Sequence, residues 1–328
     1  MTEIMCTLSG EQIADPALVN ALANAGMTAV RINTAHLDGA SSLGRLARGL
    51  KALLPKIKIL IDTKGPEMRS TVDRELILNE GDILSIAGCE TDGMDNSRCI
   101  TVNYPEIHTA VEAGDVIMID DGKICVEAVT IDGTNIKARV IRGGVLGARK
   151  GMSIFGKEPD LPAVGIHDLE YIRYACASDD IDIIAHSFVR RGSDVAAVKE
   201  AMGECAKPVI AKIENPQGIT NLDEIAAEAD GLLIARGDLT ATLGADAVPE
   251  AQAKIAAVAR HHCMPLYLAT GILPSMMDST TPSEDDIRRI GIALKQGVDT
   301  MLLTNETATG KFPLESVAVL AKAVMMRY

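Results

Sequence analysis

Short aliphatic runs alternate with longer amphipathic stretches along most of the chain. The runs fall at 4–7, 29–33, 58–62, 182–185, 209–212, 232–235, 266–270 and 301–303. Between them, apolar residues recur at helical spacing over 16–25, 43–54, 167–177, 195–202, 222–229, 249–260, 283–294 and 314–326. Helix starts are punctuated by Asp15-Pro16, Thr281-Pro282-Ser283 and Phe312-Pro313. Regular strand–helix alternation predicts parallel strands joined by crossover helices, and eight such units close a (β/α)8 TIM barrel.

The pattern breaks once, between Arg69 and about residue 160. Turn-like sets at Glu80-Gly81-Asp82, Ala113-Gly114-Asp115, Asp120-Asp121-Gly122 and Asp132-Gly133 separate short alternating runs. Ile117, Ile119, Ile124 and Val126 supply the apolar side around the third of these turns. This predicts a small antiparallel, β-barrel-like domain inserted after the third barrel strand. The expected boundaries are 1–69 and 160–328 for the barrel and 70–159 for the insertion. An insertion at that strand end is expected to act as a lid over the site.

Composition sharpens this. A barrel takes roughly 250 residues, which leaves about 80 for the insertion. Aromatic residues make up 2% and Trp is absent, so the core must be aliphatic. The net charge of −13 argues against a nucleic-acid or anionic-membrane partner, so any anionic substrate needs a local cluster of cations. The seven cysteines are odd in number and form no C-x-x-C pair, which fits reduced thiols better than disulfides or zinc. With no leader pattern and no long apolar run, the expected location is cytoplasmic.

Polar residues at the C-terminal ends of barrel strands read as functional. Here those ends carry Arg31 and Asn33, Asp62-Thr63-Lys64, Ser187-Phe188, Lys212 and Glu214, Arg236-Gly237-Asp238, Thr270 and Thr304. Glu214 and Asp238 on neighbouring strands suit Mg2+ or Mn2+, which prefer oxygen ligands. The competing reading is a pair of salt bridges, Lys212–Glu214 and Arg236–Asp238. Lys212 and Glu214 are two apart on a strand and face the same way, so Lys212 could stabilise an enolate beside a metal. Arg31 could grip a phosphate.

Several segments together resemble the pyruvate kinase family. They are Asp62-Thr63-Lys64-Gly65-Pro66-Glu67-Met68-Arg69, Lys212-Ile213-Glu214-Asn215, Ala235-Arg236-Gly237-Asp238-Leu239 and Glu306-Thr307-Ala308. Asp160-Leu161-Pro162 and Ser187-Phe188-Val189-Arg190 are also similar, and the resemblance spans nearly the whole chain. It implies glycolytic phosphoryl transfer from phosphoenolpyruvate to ADP, giving pyruvate and ATP. It implies that Arg31, Lys212, Ala235, Gly237, Asp238 and Thr270 bind the substrate, with Arg31, Lys212 and Thr270 catalytic. It places the divalent metal on Glu214 and Asp238, and potassium on Asn33, Asp62 and Thr63. It gives nucleotide contacts to Thr7, Asn33, His36, Arg69 and Lys150.

The chain departs from the family pattern in places. Ala35 replaces a Ser that helps bind potassium, and Gly10 replaces a Pro near the nucleotide. Leu239-Thr240 replaces Leu-Gly, and Thr270-Gly271-Ile272-Leu273-Pro274 replaces Thr-Gln-Met-Leu-Glu. The helix after Pro282 carries Arg288-Arg289 near where the family has Ser-Asp. The chain ends at Tyr328, where the resemblance implies a last barrel helix. The family's C-terminal domain, with its effector site, is therefore expected to be absent, and a homodimer through the barrel is the expected assembly. Two other activities fit the same residues: a metal-dependent aldolase or lyase acting on a pyruvate-like enolate, and a non-catalytic sensor of phosphoenolpyruvate or nucleotide.

Overall fold

Each of the eight aliphatic runs hydrogen-bonds in parallel to two others, so the sheet has no free edge. The strands of this closed barrel are Glu3–Thr7, Ala29–Asn33, Lys58–Asp62, Ile183–His186, Val209–Ile213, Gly231–Ala235, Leu266–Ala269 and Thr300–Leu303. The computed structural model describes residues 2–72, 74–88, 98–120, 122–148, 150–157 and 159–326. Cys89, one of the seven cysteines, and Asp121 and Tyr328 named above lie outside the described residues. No helix among the described residues is long and apolar enough to cross a membrane.

Strand geometry explains what the barrel does with these runs. Successive side chains point to opposite faces. One parity faces outward and packs under the helices, as Cys6, Val30, Ile32, Ile59, Ile61 and Ile213 do. The other parity fills the barrel interior with Met5, Ala29, Leu60, Ala185, Ile210, Leu233, Ala269 and Leu302. Branched aliphatic side chains suit both positions, because strands buried on both faces leave no polar side. The surrounding helices include Pro16–Ala25, Ala40–Leu53, Ile166–Ala177, Gly192–Met202, Leu222–Glu228, Val248–His261, Glu284–Gln296 and Pro313–Met326. Ser283 caps one of them by accepting the Asp286 N–H while Asp286 accepts the Ser283 N–H.

The chain divides into two units, residues 1–65 with 163–328 and residues 66–162. The second unit holds a closed barrel of seven strands and a separate two-stranded sheet. Its strand Met68–Thr71 reaches back across the expected boundary at residue 69. Ile117, Ile119, Ile124 and Val126 lie in two antiparallel strands and are fully buried. One expectation needs correcting: the unit is not wholly antiparallel. Strand Ile83–Ala87 pairs in parallel with Cys99–Val102. Parallel neighbours cannot be joined by a tight turn, so local alternation alone gives no sign of this pairing.

Gly65 shows how tightly the third strand's exit is held. Its φ is +73°, and a Cβ there would lie 2.3 Å from the Ser187 carbonyl oxygen. Asp168, buried on the helix Ile166–Ala177, accepts the N–H groups of Lys64 at 2.9 Å and Gly65 at 2.8 Å. Gly65→Ala is expected to destabilise the barrel by roughly 2–4 kcal/mol, from left-handed backbone strain plus the backbone clash. Urea unfolding measures this; a loss under about 0.5 kcal/mol would contradict the close approach.

Candidate active site

The interior parity of the barrel strands runs out of aliphatic residues at one end. Continuing each series by two positions leads from Met5 to Thr7, from Ala29 to Arg31, from Leu60 to Asp62, from Ala185 to Ser187 and from Ile210 to Lys212 and Glu214. The same alternation that builds the core therefore delivers these polar side chains to one mouth.

They bond to each other there. The Arg31 Nε and Nη2 both lie 2.7 Å from Asp62 Oδ2, and Nη1 donates to Thr7 Oγ1 at 3.1 Å. Lys212 Nζ donates to Asp62 Oδ1 at 3.0 Å and to Ser187 Oγ at 2.7 Å, and lies 3.1 Å from Glu214 Oε1. The second oxygen of Glu214 accepts the Phe188 N–H at 2.6 Å. That N–H is aimed by a left-handed backbone, with Phe188 φ at +54°. Asp62, Lys212 and Glu214 are all buried.

The charges set each other's proton affinities. Burial pushes the Asp62 carboxyl up, but Lys212 and Arg31 outweigh it and hold the group below its ordinary value. Burial pulls the Lys212 ammonium down, but Asp62 and Glu214 outweigh that and keep it above the usual lysine value. Glu214 goes the other way. Burial, reinforced by Asp238 and Asp62 and only partly offset by Lys212, raises it to about 8. Two neighbouring carboxylates, one of them raised in proton affinity by burial and by the other, are chemically suited to a divalent cation. Asp238 is half-buried in the first turn of the helix Arg236–Leu243. Thr242 Oγ1 lies 3.0 Å from the Glu214 carbonyl and 2.9 Å from that of Asp238, tying the two backbones together.

The competing salt-bridge reading is half realised. Lys212 does contact Glu214, but Arg236 turns away from Asp238. Its Nε and Nη2 donate to the carbonyls of Thr270 at 3.0 Å and Gly271 at 2.6 Å. This corrects a second expectation. The seventh strand stops at Ala269, and Thr270 leaves it with φ +68°. Gly237 leaves room for this bend, since a Cβ there would meet Thr270 Cγ2 at 2.9 Å. Ala235 ends the sixth strand and precedes the helix Arg236–Leu243, whose first turn has no side-chain cap.

Other expected residues have local partners. Asn33 Oδ1 accepts the Ala35 N–H at 3.1 Å, and the Thr63 hydroxyl lies 2.9 Å from His186 Nδ1. His36 is exposed at the end of a short turn, Thr34–His36, whose first residue is buried. Within the second unit, Arg69 pairs with Glu67 at 2.8 Å and Lys150 with Asp120 at 3.3 Å. The sequence reading gave no role to Ser187, Phe188, Asp168, His186 or Thr242. Strand-end position flagged the first two; the others support the site from behind it, where no spacing marks them.

A family model described as pyruvate kinase, barrel domain, matches residues 1–317. The pyruvate kinase of Aeropyrum pernix is 32% identical over 325 residues, covering 97% of this chain and 69% of that protein. That of Thermotoga maritima is 33% identical over 329 residues, covering 98% and 70%. Pyruvate kinase isozyme G, chloroplastic, of Nicotiana tabacum is 33% identical over 326 residues, covering 97% of this chain and 57% of that protein.

Glu214 predicts a pH dependence. With its folded value raised from 4.5 to about 8, it binds a proton more readily folded than unfolded. Its contribution to stability is complete below the unfolded value and is lost as pH rises through the folded one. Metal-free protein should therefore lose urea resistance between about pH 5 and about pH 8, and Glu214→Gln should flatten that slope. Equal slopes in parent and variant would count against the assignment.

Proposed function

The chain belongs to the pyruvate kinase family, and on that premise we propose that it transfers the phosphoryl group of phosphoenolpyruvate to ADP, giving pyruvate and ATP. The observation that carries the proposal is the bonded set Arg31, Asp62, Lys212 and Glu214 at the barrel mouth, with Asp238 beside it. Phosphoryl transfer needs little covalent help from a protein; it needs cations placed around the phosphoryl oxygens and reactants held in line. In a chain of net charge −13, this cluster supplies cations locally.

We assign Glu214 and Asp238 to a divalent ion. When bound, Mg2+ or Mn2+ there would supply positive charge against the phosphoryl oxygens and the developing enolate. Arg31 is assigned to the phosphoryl group. Its fork is held flat by Asp62, so its orientation is fixed before substrate arrives. Lys212 is assigned to the bridging oxygen, where negative charge grows as the P–O bond breaks and the ADP β-phosphate oxygen forms the new one. Its ammonium stays charged because Asp62 and Glu214 face it. The substrate carboxylate is assigned to main-chain groups of Ala235 and Gly237 and the Thr270 hydroxyl. The uncapped first turn of the helix Arg236–Leu243 supports this, since such N–H groups attract anions. The enolate carbon then takes one proton to give pyruvate. Thr270 is too weak an acid to deliver it unaided, so we assign Thr270 to orienting a water.

The donors implied for potassium fit less well. Asn33 Oδ1 is taken by the Ala35 N–H, and both Asp62 oxygens face cations. Turnover is therefore expected to respond little to K+.

The test is pyruvate formation from phosphoenolpyruvate and ADP with Mg2+, measured with and without K+. Lys212→Met should lower turnover about a hundred- to a thousandfold. No pyruvate at high enzyme concentration, or full turnover in Lys212→Met, overturns the proposal.

A further inference from the structure

Arg236 is half-buried, and both hydrogen bonds it makes go to neutral carbonyls. Among the described residues no carboxylate forms an ion pair with it, and its Nη1 donates to no protein group. A guanidinium withdrawn from water without a counter-charge is costly to hold. Burial, with repulsion from Arg289, draws its pKa down to about 10, against partial offset by Glu306 and Asp285. It remains a cation at neutral pH.

Arg236 lines a pocket of about 340 Å³ together with Arg288, Arg289, Gln252 and Gln296. Arg288 and Arg289 sit on the helix Glu284–Gln296 and share one carboxylate, Asp285. Arg289 Nε is 2.5 Å from it. The cationic side of this pocket thus comes from two elements, and its charge is only partly answered. Arg288-Arg289 is also one of the places where this chain departs from the family pattern.

We propose that this pocket binds a small tetrahedral oxyanion, either inorganic phosphate or the phosphoryl end of a small phosphomonoester. Guanidinium forks match phosphate oxygens in pairs, and a tetrahedral anion offers acceptors to arginines approaching from different sides. The volume is at the small end for a ligand site. Val248, Pro249 and Ile292 line the same pocket and would accommodate a short carbon body. Anion binding there stands apart from the proposed activity. One consequence rests on that activity: Arg236 also holds the Thr270 and Gly271 carbonyls, so an occupant that engages Arg236 acts on the loop carrying Thr270.

Calorimetric titration tests this, with inorganic phosphate in one arm and glycerol 3-phosphate in the other, in metal-free buffer at constant ionic strength. Three proteins are compared: the parent, Arg31→Ala, and the double variant Arg288→Ala with Arg289→Ala. The parent should bind at least one of the two anions saturably. Arg31→Ala should retain that binding, and the double variant should weaken it at least tenfold. A thermal midpoint unchanged without phosphate shows that the double variant is folded; if it is not, Arg289→Gln alone should weaken binding to a smaller degree. No saturable binding in the parent overturns the proposal. So does binding lost in Arg31→Ala and kept in the double variant, which would put the anion at the barrel mouth. A parent dimer that dissociates in the double variant, with no anion binding, also overturns it, because a second chain would then fill the pocket. The turnover assay is independent of these outcomes, so the two readings can fail separately.

Discussion

Asp62 has two carboxylate oxygens, and each is claimed by a different cation. Arg31 takes one through two nitrogens, and Lys212 takes the other. Because all this happens in a buried setting, removing any one member would leave the others short of a partner. The arrangement fixes where the Lys212 ammonium points, and Lys212 in turn faces Glu214. Phosphoryl-transfer chemistry requires cations that do not need to reorganise when substrate arrives. A buried carboxylate anchoring both is a direct way to satisfy that requirement.

Glu214 is the member whose needs the cluster leaves unmet. It has Lys212 on one oxygen and the Phe188 N–H on the other, yet Asp238 and burial still raise its proton affinity. This separates the two halves of the site. Around Asp62 the charges balance within the protein. Around Glu214 and Asp238 they do not, and a divalent cation is the simplest species that would balance them.

A similar imbalance, of opposite sign, lies next to the mouth on the outer side of the sixth and seventh strand ends. Among the described residues Arg236 bonds to two carbonyls and pairs with no carboxylate, and Arg288 and Arg289 share Asp285. The loop at Thr270 and Gly271 is held between the proposed substrate site and this cationic pocket. Its left-handed backbone persists because the Arg236 fork grips two successive carbonyls.

The sequence by itself determined the barrel and which polar residues stand at its strand ends. Period-two burial is written in the aliphatic runs, and continuing it past Leu60 or Ile210 leads to Asp62 or Lys212 without any coordinates. The signature segments likewise named the family. What only the tertiary structure decided was which charges meet. Arg31 and Asp62 are thirty-one residues apart, and Asp62 and Lys212 a hundred and fifty. Lys212–Glu214 formed as the strand spacing allows, but Arg236 turned from Asp238 to the Thr270 carbonyl, and the seventh strand ended one residue early. The parallel pairing in the second unit was equally hidden from local alternation. The physical reason is common to these cases. Backbone periodicity is local and constrains which face a side chain takes, whereas hydrogen-bond and charge partners are chosen by distance in space, which closure of the barrel alone sets.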